Sequence, residues 1–445
     1  MPEYRRPRVL SPLREHLRDT FWFAPTAGLV CVIVLWGAAA TVDAAIVDYL
    51  RERRAYDEIG DLTAIAEDAK TIVTTVSQAM MTFIGVVFSI SLVAVQMASG
   101  QLTPRVVRIF VRSRISKLTL TVFLSTFLFS LLVMTSYESE TDPERITAVP
   151  LVQSVVTLLL VGLSLLLFIA YVTTTLRLMQ VGPVVDRITR EALTVLRRQS
   201  AGGPEAAVLP PETGRVVHRG RSGVLRDVNV SRLVRLARRQ DVVLRLMPRI
   251  GDYVVPGTPV LAVHGGRAPG PGGVWSAMSA SVSVGMDRTF HQDVALGLRQ
   301  LVDIALRAMS SAVNDPTTAV QCLDRIVQFL AAVAPRPLGT VLHRDRRGAV
   351  RLVQDVPGWD DLVDLGFAEL RAHAVDSAQV TRRMLAGIDD LLLLAPEGRR
   401  EPLLRHRALL EQAVERAVAQ PADRVFALEP DRQGIGRSGT QGIRR

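Results

Sequence analysis

The sequence predicts an α-helical membrane protein: four transmembrane helices, then a cytosolic α+β domain with a small β-barrel or barrel-sandwich-like module and helical hairpins. Three observations carry that expectation. Four long stretches contain no charged residue. Basic and acidic residues alternate between the segments that flank them. Behind the last stretch the pattern changes to short β-type runs and then to charged helical periodicity.

The uncharged stretches lie between Asp19 and Asp43, Lys70 and Arg105, Lys117 and Glu138, and Arg145 and Arg177. A helix that spans a bilayer needs about 20 consecutive apolar residues, and each stretch supplies them. A soluble helix of that length would show a charged face. The Arg-rich start, the first apolar run and Ala38-Ala39-Ala40 also fit the outline of a cleaved signal peptide. That run is longer than a signal core, so it is read as a span.

Orientation follows from the basic residues. Arg5, Arg6, Arg8, Arg14 and Arg18 precede span one. Arg105, Arg108, Arg112, Arg114 and Lys117 follow span two, and Arg177, Arg187, Arg190, Arg197 and Arg198 follow span four. The other two loops carry Asp57, Glu58, Asp61, Glu67 and Asp68, and Glu138, Glu140, Asp142 and Glu144. Positive charge stays on the cytosolic side. Both termini of this multi-pass protein are therefore expected in the cytosol, with the two acidic loops facing outward. Residues 1–19 form the cytosolic N-terminal segment and residues 20–176 the transmembrane domain.

Thr103-Pro104 reads as an N-cap followed by the first helical residue. Arg105, Arg108 and Arg112 then recur opposite Val107, Phe110 and Val111. Residues 103–117 are expected as an amphipathic helix on the inner leaflet, with those three arginines touching lipid.

No span is expected to contain an ionised side chain, which counts against a proton-coupled pump. A channel needs no such charge, because small and polar residues can line water. Span two supplies Thr82, Gly85, Ser89, Ser91 and Gln96. They are candidates for a pore lining or for close helix packing. Spans two and four also exceed the bilayer requirement and are expected to reach into the cytosol.

Residues 177–213 read as a connecting helix and linker. Residues 214–264 carry β-type runs at Gly223–Val228, Val242–Met247 and Pro259–Val263, a short helix around Leu233–Arg239, and turn signals at Gly251-Asp252 and Pro256-Gly257. This is the small β module. The only lysines are Lys70 and Lys117, so the module has no lysine to carry a prosthetic group. Residues 265–284 read as a Gly/Pro linker and strand without dinucleotide-binding spacing.

Residues 285–420 form the cytosolic helical domain. Val294, Leu298, Leu301 and Ala305 make an apolar stripe, and Arg299, Asp303 and Arg307 a charged ladder at intervals of four. Asn314-Asp315-Pro316 starts the next helix, with Asp315 as cap. Arg288, Asp293, Arg299, Gln300, Asp303, Arg307, Asn314 and Asp315 are the candidate ligand or subunit-contact residues. Capping and pairing within a helical hairpin account for most of them. Residues 349–354 read as a strand, 359–394 and 399–419 as two helices, and 421–445 as a disordered tail.

Two cysteines and seven scattered histidines give no disulfide framework and no metal spacing. No nucleophile elbow, zinc-protease motif or phosphate loop is present. The chain is read as a non-enzyme without cofactor or metal. A net charge of +10 is assigned to inner-leaflet contact rather than nucleic acid.

The run Gly85–Ser99 with Pro104-Arg105, the turn Gly251-Asp252-Tyr253-Val254, and the run Arg299–Ser310 with Asn314-Asp315-Pro316 resemble a bacterial family of predicted membrane proteins, domain of unknown function 2254. The resemblance spans roughly residues 20–400. It implies an inner-membrane location and brings no catalytic residue and no substrate. The function expected is an oligomeric channel or transport protein gated by its cytosolic domain, with membrane lipids and further copies of the chain as partners. The alternative is a membrane-anchored sensor or scaffold that binds a ligand or partner through that domain.

Overall fold

The computed structural model describes residues 23–101, 114–137, 149–199, 203, 208–266 and 273–435. The chain divides into two compact units, one ending at Gln180 and one built on Val181–Arg445.

The first unit holds four helices: α1 (Phe23–Glu52), α2 (Tyr56–Gln101), α3 (Arg114–Thr135) and α4 (Leu151–Met179). All four are long and apolar enough to cross a membrane. α2 has 46 residues, about 69 Å at 1.5 Å per residue, against a hydrocarbon core of about 30 Å. The expected inner-leaflet helix lies outside the described residues, apart from Arg114–Lys117, which open α3.

α3 is the centre of this unit, in contact with α1, α2 and α4. Its buried face carries Ser116, Thr119, Phe123, Thr126, Ser130 and Val133. Small hydroxyl side chains let helix backbones approach and bond across the gap. Thr126 Oγ1 lies 3.1 Å from Ser164 Oγ on α4. A Cβ on Gly28 of α1 would fall 2.3 Å from Thr121 Cγ2, so that crossing needs glycine. Phe83, Phe123 and Phe168 stack with centroids 5.7–6.4 Å apart.

Two features correct the charge reading. α1 continues past Asp43 to Glu52, so a carboxylate lies inside a candidate span. Asp43 is 1 % exposed. Its oxygens accept from Val152 N (2.8 Å), Gln153 N (3.3 Å) and Gln153 Nε2 (3.1 Å) in the first turn of α4. α4 has no side-chain cap of its own, since Pro150 occupies that position. Asp43 supplies the cap from another helix, where the partial positive charge of the helix start favours an anion. The last turn of α1 holds Arg51 and the α1–α2 connection Arg53 and Arg54, which dilute the acidity of that segment.

The second unit opens with α5 (Val181–Arg198). There follow β1 (Glu212–Val217), β2 (Gly223–Val228), α6 (Val230–Arg239), β3 (Val243–Leu246), β4 (Tyr253–Val254) and β5 (Pro259–His264). Next come α7 (Gly273–Ser279) and β6 (Val282–Gly285). The helical pair α8 (Val294–Ala308) and α9 (Pro316–Val333) precedes the hairpin β7 (Thr340–Arg344) and β8 (Val350–Asp355). The unit closes with α10 (Trp359–Ala374), α11 (Ala378–Leu394), α12 (Glu401–Ala417) and α13 (Pro421–Leu428).

The strands form two sheets, ordered β1-β5-β3-β8-β7 and β4-β2-β6. All pairings are antiparallel except β3 with β8. No closed barrel is found among the described residues. The small module does not stand alone either: β6, β7 and β8 come from outside residues 214–264. Its core gathers Leu225, Val228, Leu233, Leu244, Leu246, Val263 and Leu352.

In the helical layer α9 touches α5, α8, α10 and α11. Gly297 of α8 lets α5 approach, because a Cβ there would lie 2.4 Å from Ala192 Cβ. The single helix expected over 359–394 is two. Ser377 caps α11, its side chain accepting from Val380 N, and a Ser that bonds the backbone this way ends one helix and starts another. The tail read as disordered from 421 begins with α13, and residues 436–445 lie outside the described range.

Candidate functional site

The polar residues of the α8–α9 hairpin fall into three groups rather than one. At the start of α8, Arg288 grips Asp293 through Nε (2.6 Å) and Nη2 (2.9 Å). Asp293 is 3 % exposed and caps the helix by accepting from Leu296 N at 3.0 Å. Gly251, at φ +99°, lies directly under the Arg288 guanidinium; a Cβ there would sit 2.6 Å from Nη2. The neighbouring Gln292 pairs with both backbone groups of Val228, at 3.0 Å each. This corner fastens β2 and the Gly251 turn to the start of α8.

One helical turn further, Arg299 donates to Asp303 (2.6 Å) and to both carboxylate oxygens of Glu369 on α10 (2.5 and 2.9 Å). The hydrogen bonds with Glu369 and Asp303 raise the guanidinium pKa against the opposing effect of burial. Arg299 in turn holds the Glu369 carboxyl below the usual carboxylate range. Gln300 lies beside this group, and its buried Oε1 has no hydrogen-bond partner among the described residues.

At the corner of the hairpin Asn314 adopts φ +47°, a left-handed conformation that asparagine tolerates. Asp315 accepts from Thr318 N (3.0 Å) and Thr318 Oγ1 (2.6 Å). Arg307 is exposed near the end of α8. Asp293 and Asp315 thus act as helix caps, and Arg288 and Arg299 as ties to neighbouring residues and elements.

Sequence reasoning missed a fourth cluster. His406 of α12, 3 % exposed, places Nε2 2.8 Å from Asp364 Oδ1 of α10, and Arg405 Nη2 reaches the same oxygen at 2.5 Å. Burial pushes the His406 pKa down, against the pull of Asp364. For Asp364 burial works the other way, but the His406 bond and the Arg405 charge leave its carboxyl below the usual range. The pairing joins residues 42 positions apart; only the His-to-carboxylate chemistry, without spacing, was visible. Among the described residues no group of three or more His, Cys, Asp or Glu could hold a metal ion.

The α2 candidates divide by face. Ser91 turns inward, its Oγ 2.6 Å from Tyr171 Oη and 2.8 Å from Val87 O. Thr82, Gly85, Ser89 and Gln96 are exposed, and so are Thr71, Thr75 and Gln78 above them. At 100° per residue these seven positions share one side of the helix. A Cβ on Gly85 would meet nothing within 4 Å. The inner-leaflet candidates Arg105, Arg108 and Arg112 lie outside the described residues.

Four candidate spans followed by a unit of two sheets and a helical layer define a polytopic membrane protein with a large α/β appendage. The chain belongs to the DUF2254 family of predicted membrane proteins, whose model matches residues 18–390. It is 28 % identical over 371 residues to the uncharacterized protein Rv1290c of Mycobacterium tuberculosis, covering 81 % of this chain and 71 % of the relative. The same figures hold for the uncharacterized protein Mb1321c of Mycobacterium bovis. No solved structure matches the chain.

Proposed function

We propose that several copies of this chain bring the exposed face of α2 together around an axis and form a channel or transport path in a bacterial inner membrane. The observation that supports this is the stripe of Thr71, Thr75, Gln78, Thr82, Gly85, Ser89 and Gln96 on the outside of the uncharged part of α2 that follows Lys70. Hydrocarbon cannot satisfy side-chain amides, which cost several kcal/mol each when left bare in lipid. Water in a pore, or the polar groups of another copy, can. Both termini and the second unit are placed in the cytosol, on the strength of the arginine-rich segments around spans one, two and four.

Ion flux into liposomes holding the purified protein tests this. Flux is expected in the native chain and is expected to fall when Gly85 and Ser89 become leucine. Absence of flux in every ion gradient overturns it. A second reading is favoured by the empty space beside Gly85: the stripe only packs copies together, Gly85-xxx-Ser89 being a small-xxx-small pair. The membrane unit then anchors a sensor or scaffold that binds a ligand or partner through the second unit. Cysteine cross-linking at Thr82 without flux is the outcome it expects.

A further inference from the structure

The second unit carries a strongly basic surface that neither the hairpin nor the α2 stripe uses. α6 packs Leu233 and Ala237 into the core and turns Arg232, Arg235, Arg238 and Arg239 to the opposite side. Arg235, Arg238 and Arg239 are exposed. None of the four has an acidic partner among the described residues, whereas Arg215, Arg245 and Arg249 of the adjoining strands and loop are all ion-paired. Helix electrostatics account for part of this. Arg238 and Arg239 suit the last turn, but Arg232 stands in the first turn, where a cation is unfavourable.

A second element adds to the same surface. Arg351 of β8 reaches Asp241, just past α6, and Asp345 in the β7–β8 turn, at 2.9 Å each. That bridge draws the turn up to the end of α6 and occupies both carboxylates. Arg346 and Arg347 of the turn stay exposed beside it. Six arginines from two elements therefore form one net-cationic face, against which the Asp241–Arg351–Asp345 bridge leaves a single negative charge.

We infer that this face docks on the anionic headgroups of a lipid bilayer. The chain is a membrane protein, so a headgroup surface lies permanently within tether range of the second unit. Arginines near such a surface each favour contact by about five-fold in the docking equilibrium. The face offers no exposed aromatic residue of its own on which bases could stack, which sets it apart from single-strand nucleic-acid platforms. The inference does not depend on the α2 stripe lining a pore.

The test uses the full chain in nanodiscs of phosphatidylcholine, alone or mixed with phosphatidylglycerol. A donor dye is placed by Ser231→Cys in a Cys31→Ser background, Cys322 being buried. An acceptor dye is carried on the lipid headgroups. Energy transfer is expected to rise with phosphatidylglycerol and fall with added salt. Arg235→Gln, Arg238→Gln and Arg239→Gln together should weaken docking by about 100-fold, at five-fold per arginine. The corresponding lysine variant should retain it, which separates charge from folding. Transfer that ignores phosphatidylglycerol, or survives the glutamine variant, overturns the inference. So does arginine-dependent binding of short RNA or DNA to nanodiscs of neutral lipid without any response to phosphatidylglycerol. Liposome flux reads the channel separately, so failure of one leaves the other standing.

Discussion

Asp43→Ala is the most informative single change in the membrane unit. The carboxylate accepts three hydrogen bonds, two from the backbone of α4 and one from the Gln153 amide. Gln153 is itself fully buried and Asp43 nearly so, which keeps water from replacing the lost acceptor. A buried donor left unsatisfied costs about 1–3 kcal/mol. The two backbone donors alone set a loss of about 2–6 kcal/mol, and removing an anion from a helix start adds about 0.3–1 kcal/mol. A loss of about 2–7 kcal/mol is a large part of a total stability of about 5–15 kcal/mol. Asp43→Asn keeps one carbonyl oxygen and should cost about 1–2 kcal/mol. Gln153→Ala removes one donor and leaves both caps, so it should cost less than Asp43→Ala. The assay is unfolding of the purified protein in mild detergent with increasing denaturant, followed by helical circular dichroism. Equal stability of the alanine variant and the native chain, within about 0.5 kcal/mol, would refute the capping argument. So would an asparagine variant as unstable as the alanine one.

Other consequences can be checked on the second unit. Gly297→Val should lower the unfolding temperature, at a cost of about 1–3 kcal/mol, because its Cβ meets Ala192 Cβ at 2.4 Å; Ala192→Gly should recover part of it. A double-mutant cycle on Arg299 and Glu369 should give a coupling of only about 0.5–1 kcal/mol that shrinks in salt, since Glu369 is half exposed. His343, buried against Gln354 Oε1 at 3.0 Å, and His406 both have folded-state pKa values pushed below 6.5 by burial. The unfolded chain then binds more protons below that pH, so their contribution is full above about pH 6.5 and is lost as pH falls beneath it. Replacing both histidines with glutamine should flatten the acid slope of stability, measured by thermal unfolding at a series of pH values.

The spans were legible because length and lack of charge are enough to define them. The faces of those spans were not. Periodicity put Ser91 among the α2 candidates, yet only the position of Tyr171, 80 residues on, turns that hydroxyl inward. Asp43 read as the end of a span because it is charged; its burial depends on where α4 begins. The hairpin corner was legible in full at Asp315-Pro316, where the cap is local. The Arg299 ladder was half legible: Asp303 lies four residues away, Glu369 seventy. Strands β2, β3, β5 and β8 were legible, but β1, β4, β7 and the pairings were not. Alternation marks a strand without saying whom it pairs with, and no closed barrel is found among the described residues. The break at Ser377 was missed because the apolar pattern runs across it.

The parallel register of β3 with β8 bears on the order of assembly. Leu244 pairs with Leu352 and Arg245 with Val353, and the Arg245 guanidinium donates to the Asp355 carboxylate across 110 positions. During synthesis β3 leaves the ribosome long before its neighbour exists, while α4 is already available for insertion into the bilayer. The early strands must wait with one edge bare, and unpaired edges recruit other strands. Slow closure of non-local pairs follows from their loop entropy. Chaperone dependence and aggregation of nascent chains truncated between residues 265 and 350 are therefore to be expected, with a sharp relief once β8 has emerged.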